Sequence, residues 1–168
     1  MRVRGEETSG RAESVLATAT GRATWLAGHL SVTLAGSALL LVAAGLGQGV
    51  AYGLAVSDAG QIPRLIGAAL AWTPAVWLIV ALAVLGLGWL PRAAAAAAWT
   101  AVGYCVIVAL FADSFDLPGW FGSASPFVHT PEVPLENLAA IPLLILGSLV
   151  ALLLAGGFAG MRRRDLGY

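Results

Sequence analysis

The sequence predicts an all-α, polytopic membrane bundle of about four transmembrane helices with both termini in the cytoplasm. Three observations carry that reading. First, 59% of the 168 residues are apolar and only 11% are charged, whereas soluble domains carry roughly 25% charged residues. Second, the apolar residues gather in runs long enough to span a bilayer, a helix needing about 20 residues for a hydrocarbon core of roughly 30 Å. Third, the arginines fall almost entirely on one side of a four-span arrangement, as worked out below.

The elements follow in chain order. Residues 1–23 are polar and mixed in charge, with Arg2, Arg4, Glu6, Glu7, Arg11, Glu13 and Arg22. Acids among the basic residues, and the length of the apolar run that follows, argue against a secretory signal peptide. This segment is expected in the cytoplasm. Val15, Leu16 and Trp25 give it one apolar edge, which suits either a docking helix or an interfacial one. Residues 24–56 then contain no formal charge. A first span over residues 25–47 is expected, with the remainder tilting on or extending outward past Gln48.

The second and third spans are expected over residues 65–90 and 93–112, joined in a tight hairpin by Pro91 and Arg92. Pro74 lies inside the second span and should kink it, since it removes one ladder donor. A proline-rich outer loop, residues 113–137, precedes a fourth span over residues 138–160. Pro142 stands in the first turns of that span, where it does little harm. The transmembrane bundle as a whole thus covers residues 24–160, and residues 161–168 form a cytoplasmic tail opening Met161-Arg162-Arg163-Arg164-Asp165.

Orientation comes from the arginines. Arg2, Arg4, Arg11, Arg22, Arg92, Arg162, Arg163 and Arg164 share one side, and Arg64 stands on the other. The positive-inside rule assigns the first side to the cytoplasm of a plasma-membrane protein. No span holds a formal charge, each of which would cost about 2.5–3.5 kcal/mol at the bilayer centre. Gly45, Gly49 and Gly53, and again Gly156 and Gly160, recur every four residues, a spacing that lets helices approach closely.

Several chemistries are excluded or weakly supported. Lysine is absent, so the chain has no Walker-type lysine and no Schiff-base lysine. Cys105 is the single cysteine, which precludes an intrachain disulfide and fits a small buried hydrophobe. No basic run interleaved with aromatics points to nucleic acid. His29, four residues after Trp25, reads as an interfacial histidine rather than a proton relay. His129, Glu132 and Glu136 could in principle ligate a metal, but Pro131 and Pro134 interrupt any helical ligand spacing. No metal, cofactor or catalytic residue is therefore expected, and the chain is expected to be non-enzymatic. Phe115, Trp120, Phe121 and Phe127 suit an outer interface that caps the bundle.

Two stretches carry a family resemblance. Glu7, Gly10, Glu13, Leu16-Ala17-Thr18 and Arg22 resemble the cytoplasmic segment of ABC type-2 exporter permeases, although Ala19 stands where that family usually has proline. Ser125-Pro126-Phe127-Val128-His129-Thr130-Pro131, then Pro134, Gly157, Gly160 and the Arg162–Arg164 run, are similar to the C-terminus of one branch, the actinobacterial permeases described as exporters of polyketide antibiotics. Members of that branch look like two concatenated six-span halves, and this chain resembles the last four spans of the second.

The resemblance implies a partial permease driven by a separate ABC ATPase subunit, with ATP hydrolysis on that subunit. Residues 1–23 would act as the coupling segment, with Glu7, Gly10, Glu13, Leu16 and Arg22 at the ATPase. Ser125, Pro126, Phe127, His129 and Pro131 would form the outer-loop motif. Implied partners are the ATPase, the remaining permease half or a second permease chain, the lipid bilayer and a hydrophobic or antibiotic-like small molecule. The competing expectation is a free-standing four-span scaffold or regulatory protein that packs through its glycine faces.

Overall fold

The computed structural model describes residues 22–111, 118–130 and 140–165. Every regular element among them is helical. In order they are α1 (Arg22–Val56), α2 (Gln61–Ala71), α3 (Thr73–Trp89), α4 (Ala94–Phe111), the short α5 (Gly119–Ser123), a 3-10 turn (Pro126–His129) and α6 (Ala140–Asp165). Among the described residues, four stretches are long and apolar enough to cross a membrane: Thr24–Val56, Gln61–Trp89, Ala94–Phe111 and Ala140–Arg163.

The first helix does not stop near Gly47. It runs unbroken for 35 residues, roughly 52 Å at 1.5 Å per residue, well beyond one hydrocarbon thickness. The reason is tertiary. Gly45, Gly49 and Gly53 form a bare strip against the antiparallel α2. A Cβ on Gly45 would lie 2.7 Å from the Leu65 carbonyl oxygen, and one on Gly49 2.8 Å from the Ile62 Cα. Packing at backbone distance offsets the helix-weakening tendency of glycine.

What ends α1 is a left-handed residue. Ser57 has φ 55°, and the Asp58 N–H reaches back to the Gly53 carbonyl at 2.9 Å while the Ser57 N–H reaches Leu54 at 3.4 Å. That pair of bonds is the Schellman pattern, with serine in the place glycine usually takes. Asp58 then organises the reversal. Its carboxylate accepts the Gly60 N–H at 2.9 Å and the Gln61 side-chain amide at 2.8 Å.

The second span is helical from Gln61, four residues ahead of the expected start, and breaks at Trp72. Pro74 has no N–H to give the Leu70 carbonyl, so the ladder tightens there. Trp72 donates to Ala69 at 3.2 Å, and regular bonding resumes with Val76 donating to Trp72 at 3.1 Å. After α3 the chain reverses through Leu90–Ala93, held by the Leu90 N–H on Gly86 (2.7 Å) and the Ala94 N–H on Leu90 (2.9 Å).

The bundle is built around α3, whose most extensive pairing is with α6; α4 and α1 also contact it. Glycine again sets the closest approach: a Cβ on Gly157 would sit 2.8 Å from the Val84 carbonyl oxygen, and one on Gly160 2.9 Å from that of Gly88. One apolar cluster joins Leu78 and Ala81 to Leu146 and Val150. A second joins Leu26 of α1, Val84 of α3 and Met161 of α6. The outward surface keeps large apolar side chains such as Val32, Leu40, Leu54, Leu144 and Leu152. That surface suits lipid, which solvates it without penalty.

Candidate functional site

Three regions of the bundle bear on function: the end where α1 begins and α3 and α6 finish, a lateral cleft above it, and the cap at the opposite end.

The first end carries the described arginines other than Arg64. Arg92 lies in the α3–α4 turn, and Arg162 and Arg163 lie in the last turns of α6, all exposed. α6 does not end at Gly160 but continues helically through the arginines to Asp165. Basic residues suit this position, since they oppose the negative pole of a helix C-terminus. Trp89 is pinned here by its indole N–H, which donates to the Gly156 carbonyl at 2.9 Å. The Arg163 guanidinium stacks over the same ring, 5.4 Å from its centroid. Leu26, Val84 and Met161 tie the start of α1 to the ends of α3 and α6.

Above this end opens a cleft of about 270 Å³ between α1, α3 and α4. Leu30, Val80, Val84 and Leu87 supply apolar walls, Ala94 and Ala98 a smooth one, and His29 and Thr33 the polar atoms. Both polar groups are engaged along α1. Thr33 donates its hydroxyl to the His29 carbonyl at 2.8 Å, and His29 Nδ1 lies 3.1 Å from the Trp25 carbonyl with the two rings 4.5 Å apart. His29 thus lines the cleft while stacked on its neighbour. Its spacing from Trp25 was legible in the sequence; its place beside α3 and α4 was not.

The cap is made by residues 118–130. Phe127 stacks on Trp72, centroids 5.7 Å apart, over the α2–α3 break. Phe121 meets Tyr104 of α4 edge-on at 5.0 Å, and the Tyr104 hydroxyl donates to the Phe121 carbonyl. Ser125 is buried, Pro126 opens the 3-10 turn, and the His129 Nδ1–H donates to the Ser125 carbonyl at 3.2 Å. Four of the five outer-loop residues therefore belong to one compact turn. Pro131 lies outside the described residues, as do Glu132 and Glu136. Of the expected coupling residues, Arg22 opens α1, while Glu7, Gly10, Glu13 and Leu16 lie outside the described residues. Trp72 and Tyr104, the anchors of the cap, went unremarked in the sequence; an aromatic beside Pro74 and a tyrosine inside an apolar span were the available signals.

Four apolar spans among the described residues, glycine-mediated helix packing and an apolar outward surface define a multi-pass membrane protein. Residues 1–162 match the family described as the C-terminal domain of the multidrug efflux system permease Rv1217c, and the chain belongs to that family. It is 38% identical, over 167 residues, to the multidrug efflux system permease protein Rv1217c of Mycobacterium tuberculosis. The match covers 99% of this chain and 30% of the relative, so the chain spans about a third of the length of the curated relative it matches.

Proposed function

We propose that the chain forms the C-terminal membrane portion of an ABC-type exporter for hydrophobic or antibiotic-like small molecules. The family match over residues 1–162 carries this reading. The arginine-bearing end faces the cytoplasm and receives a separate ATPase subunit through residues 1–23. Glu7, Gly10, Glu13, Leu16 and Arg22 make the contact. The chain has no lysine for a Walker-type nucleotide site, which supports assigning ATP hydrolysis to the separate subunit.

Transport needs two states of the bundle that ATP binding and release stabilise differently. The apolar cluster of Leu26, Val84 and Met161 supports a mechanical link from the docking segment to α3 and α6. The remaining spans of the permease, on the same or a second chain, complete the substrate path.

A second reading, a free-standing four-span scaffold, would use its glycine faces within the chain rather than on a partner. Gly45, Gly49 and Gly53 are spent on α2, and Gly157 and Gly160 on α3, leaving those faces covered within the chain.

The test is co-purification of the tagged chain with the ATPase when the rest of the permease is supplied. Retention of the ATPase, and its loss on Glu13→Arg with the chain still in the membrane, is the expected result. Failure to retain any ATPase with all other spans present overturns the proposal.

A further inference from the structure

We infer that the α3–α6 junction at the arginine-bearing end is a binding site for an anionic phospholipid, with Arg163 and Arg162 on the headgroup phosphate and Trp89 as its wall. Four observations converge on this site. Trp89 is half-exposed, yet its ring is fixed by the bond to the Gly156 carbonyl. Arg163 is held over that ring at 5.4 Å rather than extended freely into solvent. Arg162, the residue before it on α6, is exposed as well. The fourth is a track for an acyl chain. Leu152 lies on the same face of α6 as Arg163 and is 69% exposed, and between them the Leu85 side chain of α3 packs over Gly156.

The dimensions fit a lipid better than a soluble anion. Leu152 is three helical turns from Arg163, about 16 Å, which is close to half of a roughly 30 Å hydrocarbon core. A headgroup at the arginines therefore places one acyl chain along Leu85 and Leu152 within a single leaflet. Tryptophan suits the headgroup level because its ring is apolar and its N–H polar. Arginine suits a phosphate diester because its fork makes two parallel hydrogen bonds, and stacking on the indole pre-orients that fork. Basic side chains near a membrane surface each favour anionic lipid. This site does not depend on what the protein transports.

The test uses the full chain in neutral detergent, with native mass spectrometry to count retained lipid and thermal unfolding to follow stability. Phosphatidylglycerol is expected to be retained and to raise the unfolding temperature, with phosphatidylcholine and inorganic phosphate much weaker. The preference should fall about fivefold in Arg163→Gln and on the order of 25-fold in the Arg162→Gln/Arg163→Gln double variant. Trp89→Phe should weaken it with both charges intact, and Arg64→Gln, at the opposite end, should leave it unchanged. Equal retention of both lipids, or a double variant that keeps the full preference, overturns the inference. So does stabilisation by inorganic phosphate equal to that by phosphatidylglycerol. Should the double variant instead lose a co-purifying acidic protein while its lipid preference stands, the arginines serve a protein contact and the inference fails.

Discussion

Gly88 of α3 and Gly157 of α6 meet backbone against backbone, so that a Cβ on Gly88 would overlap the Gly157 carbonyl. No side chain intervenes that could rotate away. An added methyl must push the two helices apart, and the loss spreads to the Val84 and Leu154 contacts that border the crossing. Gly88→Ala and Gly157→Ala should each destabilise the chain by about 1–3 kcal/mol, the usual range for overpacking. Gly147, also on α6, has open space at its Cβ position, and Gly147→Ala should be neutral or slightly stabilising. Thermal unfolding in one detergent decides it: equal behaviour at positions 147 and 157 would rule out the close crossing.

The α1–α2 reversal predicts the opposite sign for a glycine. Ser57 adopts φ 55°, a left-handed conformation that costs an L-residue about 1–2 kcal/mol. Ser57→Gly keeps the Schellman bonds to Gly53 and Leu54 and removes that cost, partly offset by a more flexible unfolded chain. A net gain of about 0.5–1 kcal/mol is expected. Ser57→Val should lose at least as much. A fall in unfolding temperature for Ser57→Gly would mean that the serine side chain holds the turn.

Asp58 gives that same turn a pH dependence. The Gln61 amide and the Gly60 N–H both donate to its carboxylate and hold its pKa below the ordinary 3.8. Because the folded value is depressed, the stabilisation is complete above the unfolded pKa and fades as pH falls through the folded one. Unfolding temperature should therefore decline below about pH 4 more steeply in the wild type than in Asp58→Asn. Above pH 5 the two profiles should run parallel, with the variant lower. The carboxylate is fully exposed, so the effect is small.

Much of this architecture was legible in the sequence, and what was not has a physical cause. The spans stood out because apolar runs of that length have no other economical fold. The Pro74 break was legible because proline acts within its own helix. An extension of the first run past Gln48 was legible, but its unbroken helical form through Gly53 was not, since glycine stops a helix or continues it according to what it packs on, and Leu65 and Ile62 arrive from the next element. The role of Gly88 is illegible for the same reason: its partner Gly157 comes two spans later in the chain. The aromatic cap was readable as composition, while its anchoring to Trp72 and Tyr104 depends on long-range pairing. His29 likewise became part of a cleft only when α3 and α4 were placed beside it.

α1 and α3 are also joined by one polar bond inside the apolar region. The Trp77 indole N–H donates to the Ser37 hydroxyl at 3.1 Å, and that hydroxyl donates in turn to the Leu34 carbonyl at 2.9 Å. Measured side-chain hydrogen bonds between membrane helices average about 0.6 kcal/mol and reach about 1.7. A double-mutant cycle of Ser37→Ala and Trp77→Phe should return a coupling in that range. A coupling of zero would show that the two groups find equal partners elsewhere.

The cap supplies the last prediction, and it separates structure from chemistry in the outer-loop motif. Ser125 is 1% exposed and its hydroxyl, like that of Thr73, has no hydrogen-bond partner among the described residues. A buried hydroxyl without a partner costs about 1–3 kcal/mol relative to one that is satisfied. Ser125→Ala removes that cost with almost no change of shape, and should leave stability unchanged or raise it by about 1 kcal/mol. Phe127→Ala, by contrast, removes the ring stacked on Trp72 and should lower stability by about 3 kcal/mol or more if the turn cannot close over the gap. Unfolding temperatures of the two variants, read beside Trp72→Leu, test the arrangement. A marked loss in Ser125→Ala would mean that the hydroxyl is engaged by water or by a polar group beyond the described residues. In that case Ser125 holds the cap shut, and the Phe127–Trp72 contact follows from it.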